Sequence, residues 1–232
     1  MKQQRPAFFS ASMVKRILNK KASTPKTTEE AAQKFSSEDI GFENIQKSFK
    51  KIFPEARFLK NVILPMEEDS LVKTAEYDVM VVCAAGIHIF EIKGYPKGKV
   101  WYDKGENGVR LWKIDDGTGI SEIHDPISQG LGKLNYIRKS VQCFSKYYVY
   151  FTGDEIELVP TIPATVVTTD ELSYVSRLAY GNAKQHKSLI ETEEVNVIAD
   201  AILEISSQYT MAEHISNCRE FHGQKQAKHG AA

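Results

Sequence analysis

The apolar positions of this chain change period along its length, and each change marks an element. From Thr28 to Phe53 they recur at helical spacing: Phe35, Ile40, Ile45, Phe49, Ile52 and Phe53 share a broad face, with Lys47, Lys50 and Lys51 outside it. Pro54 ends that run. Residues 56–64 read as a strand leading into Pro65, and residues 66–74 as an acidic loop. Residues 79–83 and 87–92 are apolar, largely β-branched runs separated by Ala84, Ala85 and Gly86, the pattern of a buried hairpin. Residues 99–103 and 109–114 read as strands around a glycine-containing turn. Asp125 suits an N-cap and Pro126 a first helical position. The helix they open runs through Leu131, Leu134, Ile137 and Val141 and carries Lys133, Arg138 and Lys139 on its outer face. Residues 147–151 and 162–167 read as strands flanking a loop at 152–160. Thr168 and Glu171 form a capping box for a helix over 169–178. A last amphipathic helix over 191–209 buries Val195, Ile198, Ile202 and Ile205, and from about His214 the chain is polar.

This order predicts an α/β fold: a central mixed β-sheet flanked by helices over 29–180, a basic arm over 1–28 and a helical extension over 181–232. The arm holds Lys2, Arg5, Lys15, Arg16, Lys20, Lys21 and Lys26 and no acid. Two readings stand for it: a loosely docked helix with a flexible tail, or a sequence-independent contact to a phosphate backbone.

Composition changes this picture little. The 232 residues are 42% hydrophobic and 26% charged, and 30 basic residues balance 30 acidic ones, so no global basic field marks a nucleic-acid binder. Cys83, Cys143 and Cys218 are too few and too scattered for a zinc site or a disulfide framework. With no apolar run near the roughly 20 residues of a membrane span and no signal-peptide core, the expectation is a cytoplasmic protein without a membrane partner. Phosphate-loop, dinucleotide, serine-hydrolase and zincin motifs do not occur.

The chemistry sits at the ends of the hairpin. Alternation along the second strand puts Ile87, Ile89, Glu91 and Lys93 on one face and His88, Phe90 and Ile92 on the other. Glu91 and Lys93 alone read as an ordinary exposed ion pair. Asp78 at the start of the neighbouring strand changes that, because two carboxylates suit Mg²⁺, which binds one or two of them along with waters and substrate phosphates. The Ile92 carbonyl would add an oxygen, and Lys93 would position or deprotonate the attacking water. Trp101 and Trp112 read as core residues rather than base-stacking ones.

The order Asp78, apolar hairpin, Glu91-Ile92-Lys93 resembles the PD-(D/E)xK nuclease superfamily, and over about residues 35–167 it resembles the nuclease-related domain branch. Gly98, Trp112 and the pair Pro126 and Gln129 match features that recur in that branch, where the glutamine points toward the active site. The family's first helix carries Gly-Glu, but here Gly41 is followed by Phe42, leaving Glu43, or Glu38, as the substitute. The resemblance implies a Mg²⁺-dependent nuclease, with Mn²⁺ able to substitute, acting on nucleic acid and on DNA more than RNA. It implies catalysis by Asp78, Glu91, Lys93 and Gln129, and metal binding by Asp78, Glu91, Ile92 and Glu43. Lys15, Arg16, Lys97 and Lys133 are the expected nucleic-acid contacts. The alternative is a non-cleaving nucleic-acid- or protein-binding module on the same fold. It would serve as a subunit of a DNA-processing or defence complex, or as a homo-oligomer, docking through the terminal extensions.

Overall fold

The structure is a computed structural model that describes residues 36–66, 70, 72–105 and 110–229. The basic arm, and with it Lys15 and Arg16, lies outside the described residues. The elements in chain order are α1 (Ser37–Lys50), β1 (Arg57–Pro65), β2 (Thr74–Cys83), β3 (Gly86–Lys93), β4 (Lys97–Lys104), β5 (Arg110–Asp115), β6 (Ile120–Ile123), α2 (Pro126–Ser140), β7 (Ser145–Phe151), β8 (Glu155–Leu158), β9 (Val166–Thr168), α3 (Leu172–Gln185), α4 (Thr192–Ser206) and α5 (Met211–His229).

The main sheet has the order β1-β2-β3-β7-β9. Its first three strands are antiparallel and the β3-β7-β9 half is parallel, so the sheet is mixed, as expected. Strand alternation divides the core in two. Val79, Val81, Phe90, Ile92, Tyr148 and Tyr150 pack under α1 and α3. Met80, Val82, Ile87, Ile89, Val149 and Phe151 pack on the other side with residues of α2 and α4 and with Val100, Trp112 and Ile114. The helices therefore cover both faces. Through Val195, Ile198, Ala199 and Ile202, α4 is integral to the core.

Val100, Trp112 and Ile114 belong to a second sheet, of order β6-β5-β4-β8. Two of its strands differ from the sequence reading. Residues 155–158, expected as part of a loop, pair in parallel with β4, and residues 120–123 pair with β5. Both are edge strands of only four residues, too short for their pattern to stand out from a loop. The strand expected over 162–167 shrinks to Val166–Thr168, because a turn from the Pro163 carbonyl to the Val166 N–H precedes it. The expected capping box of Thr168 and Glu171 forms, but a single 3₁₀ turn follows it before α3, which runs on to Gln185. The polar C-terminal stretch is helical, and α5 touches β2 where His214 Nδ1 lies 2.9 Å from Thr74 Oγ1. No helix among the described residues is long and apolar enough to cross a membrane.

Two glycines set how closely helices approach the strands that carry the site. A Cβ on Gly41 of α1 would lie 2.8 Å from Ile92 Cδ1 on β3. A Cβ on Gly130 of α2 would lie 2.1 Å from the Tyr147 ring on β7. Gly130→Ala is expected to destabilise the protein by about 2 kcal/mol, since overpacking outweighs the gain of roughly 1 kcal/mol in helix propensity. Urea denaturation checks this, and a more stable variant would show that α2 can shift without cost.

Candidate active site

The site lies where the main sheet splits. Pairing of β2 with β3 runs from Cys83 opposite Gly86 to Val79 opposite Phe90. Beyond that point β2 continues against β1 alone, down to Thr74 opposite Pro65. Strand β3 continues against β7 alone, with Glu91, Ile92 and Lys93 opposite Val149, Tyr150 and Phe151. The two arms form a V. Asp78 stands on one arm and Glu91 and Lys93 on the other.

The split has a local cause on β1. Asn61 lies between the pairs Lys60–Val79 and Val62–Tyr77, so it faces Asp78, and its φ of 53° is left-handed. Asparagine is among the few residues that adopt this conformation readily. The alternation of side chains changes there: Leu59, Val62 and Leu64 on β1, like Ala75, Tyr77, Met80 and Val82 on β2, all enter the same core cluster. This break in the pleat lets Asp78 turn toward β3. Its Oδ2 accepts a hydrogen bond from the Ile92 N–H at 2.7 Å, which replaces a lost ladder bond.

Glu91 is the centre of charge. Its Oε1 accepts from Lys93 Nζ at 3.1 Å and its Oε2 from Lys133 Nζ at 2.6 Å. The Glu91 and Lys133 side chains are only 13% and 14% exposed, and Lys93 is 24% exposed. Lys133 is thus a correction to the sequence reading, which put it on the outer face of its helix. It points inward, its ammonium 5.7 Å from the Tyr77 ring centroid, and its main-chain carbonyl accepts from the Tyr77 hydroxyl at 3.0 Å. Helix α2 is seated by Asp125, which accepts from the N–H groups of Ile127 and Ser128, and by Tyr147, whose hydroxyl donates to the Pro126 carbonyl at 3.1 Å.

These contacts pull the two carboxylates apart electrostatically. Burial and the neighbouring charge of Glu91 raise the Asp78 pKa to about 6, against the opposing pull of Lys133, the Ile92 N–H and Lys93. Burial also disfavours ionised Glu91, but the ammonium groups of Lys133 and Lys93 outweigh it and hold Glu91 below its ordinary range. Burial, helped by Glu91 and Asp78, drives ionisation of Tyr147 far upward, so its hydroxyl stays protonated.

The remaining expected residues divide. Gln129 is exposed, one helical turn before Lys133 on the same side of α2. Lys97 is exposed at the start of β4. Glu43 is exposed on α1, and it does not join the pair: among the described residues no group of three or more His, Cys, Asp or Glu side chains could hold a metal. Position 42 explains the loss on this helix. Phe42 packs beside the core with the Lys60 ammonium 5.7 Å from its ring centroid. Lys60 pairs instead with Asp39, whose carboxyl that contact, with Ser36, holds down at about 2. His88 lies on the sheet face opposite Glu91, as expected, stacked on Tyr148 and in tilted contact with Phe49.

The donor set fits a hard divalent cation. Two carboxylates approach from adjacent arms, close enough for the charge of Glu91 to add to burial in raising the Asp78 pKa. A family model of the nuclease-related domain matches residues 37–156, just over half of the chain. The chain belongs to the nuclease-related domain family. The match opens at the first residue of α1 and closes within β8, so this nuclease-related domain includes both arms of the V and all of α2. No curated protein and no solved structure matches the chain.

Proposed function

We propose that this nuclease-related domain is a metal-dependent nuclease that hydrolyses phosphodiester bonds of nucleic acid, DNA more than RNA. The convergence of Asp78, Glu91 and Lys93 at the split of the sheet carries this reading. Mg²⁺, with Mn²⁺ as a substitute, would be held by Asp78 and Glu91 with the Ile92 carbonyl as a further oxygen. When bound, it would supply Lewis-acid stabilisation of charge developing on a phosphoryl oxygen. The chain's own groups do the rest. Lys93, anchored by Glu91, would orient the attacking water or take its proton. Gln129 donates its amide to a phosphate oxygen beside the N-terminus of α2, which favours anions. Lys97, and Lys15 and Arg16 on the arm, add sequence-independent contacts to the backbone.

A second reading, a non-cleaving nucleic-acid- or protein-binding subunit, draws support from two observations. Both Glu91 oxygens are engaged by lysines, and the carboxylate expected on α1 is replaced by Phe42. The test compares wild type with Lys93→Ala on labelled single- and double-stranded DNA and on RNA, in Mg²⁺, in Mn²⁺ and in EDTA. The nuclease reading expects metal-dependent cutting that the variant loses. Retained binding without cutting of any substrate overturns it in favour of the binding module.

A further inference from the structure

The geometry points to Lys133 as a stand-in for the cation: it occupies Glu91 Oε2 in the metal-free protein, releases it when metal binds, and then serves as a phosphate contact. This inference rests on the metal-dependent reading above.

Asp78 and Glu91 are both only partly exposed, and Asp78 Oδ2 accepts from the main-chain N–H of Ile92, the residue next to Glu91. Two such carboxylates fold together only with compensating positive charge nearby. Lys133 supplies it through the shortest ion pair of the site, at 2.6 Å. With Lys93 the count is two ammoniums against two carboxylates. A divalent cation added to that set leaves an excess of two positive charges in a half-buried space, which is costly at low effective dielectric. An ammonium must therefore leave Glu91.

Lys93 and Lys133 differ in their freedom to do so. Lys93 lies two residues from Glu91 on the same strand face, so its backbone keeps it beside the carboxylate. Lys133 comes from α2 and reaches the site on a flexible four-carbon stem, its ammonium 5.7 Å from the Tyr77 ring centroid. Its backbone stays fixed by the Tyr77 hydroxyl while the side chain swings. The direction open to it is that of Gln129, exposed one turn earlier on the same side of the helix. There the released ammonium meets the phosphodiester whose negative charge offsets the metal.

The test measures metal affinity without substrate. Titration calorimetry with Mg²⁺ and with Mn²⁺ compares wild type with Lys133→Met, which keeps the apolar stem, and with Lys133→Gln, which keeps a hydrogen bond but no charge. Loss of the competing charge is expected to tighten metal binding by at least about tenfold in both variants. In EDTA both should melt earlier than wild type, and saturating metal should close that gap. With Ca²⁺ in place of Mg²⁺, binding of a short DNA duplex should weaken and its log–log salt slope should fall by about one. Metal affinity unchanged or lowered in the variants, with wild type still binding metal, overturns the stand-in role alone. No metal binding by wild type or either variant overturns the stand-in role and the metal-dependent reading together. Binding by the variants but not by wild type supports both.

Discussion

Asp78→Asn is expected to make the metal-free protein more heat-stable while abolishing metal binding and cleavage. The two effects share one cause. Burial and Glu91 raise the Asp78 pKa to about 6, whereas an unfolded chain has it near 3.9. At pH 7 the folded state therefore carries an ionised carboxylate that it disfavours by about 3 kcal/mol. An asparagine removes that charge, and its carbonyl oxygen still accepts from the Ile92 N–H. The melting temperature should rise by roughly 9 °C in a chain of this size. The sign with pH follows from linkage. The folded state binds the Asp78 proton more tightly than the unfolded one, so wild type gains stability relative to the variant as pH falls from about 6 toward 4. The difference should vanish below pH 4, where the group is neutral in both states. Thermal melts from pH 7 to pH 4 in EDTA check this. A variant less stable than wild type at pH 7 would mean that the Asp78 carboxylate is stabilised by the lysines rather than strained by Glu91.

His88→Phe is expected to stabilise the protein with the opposite pH signature. The ring is fully buried, and neither nitrogen has a hydrogen-bond partner among the described residues. Leaving such groups dry costs roughly 1–3 kcal/mol. Phenylalanine would keep the stacking on Tyr148 and the tilted contact with Phe49, and a neighbouring cavity of about 50 Å³ gives it room. Burial, with a smaller contribution from Lys146, lowers the His88 pKa to about 3. Between about pH 6.5 and pH 3 the unfolded chain therefore takes up a proton that the folded protein refuses, and wild type loses stability as pH falls through that window. The variant lacks this loss, so its advantage should grow with acidity. Urea denaturation at pH 7, 5.5 and 4 measures it. A constant or negative advantage would show that His88 is hydrogen-bonded in solution.

What could be read from the chain was what its local chemistry states directly. Alternation along residues 87–93 separates Glu91 and Lys93 from His88, Phe90 and Ile92, and the structure keeps that division across the sheet. Asp125 with Pro126, and Thr168 with Glu171, open helical segments where expected, because caps act within four residues. The orientation of α2 is different. Reading Leu131 as core rotates the apolar arc away from Lys133, yet Leu131 is 54% exposed. The true face centres on Gly130, Leu134 and Ile137, and Gly130 has no side chain to signal that it packs on Tyr147. At about 100° per residue, a misplacement by one position moves Lys133 from the site to solvent. The strands β6 and β8 were equally silent, since a four-residue edge is too short to announce itself without its partner.

The sequence by itself therefore determined the hairpin, its two faces, the helix starts and the set of charges at its end, all of them consequences of period and capping within a few residues. Only the tertiary structure decided that the sheet opens at Asn61 and Asp78, that Lys133 rather than Glu43 completes the charge set, and that Phe42 diverts α1 from it. Those outcomes depend on which strand ends separate and on how close two helices can press. Such long-range geometry has no signal in the spacing of any one segment.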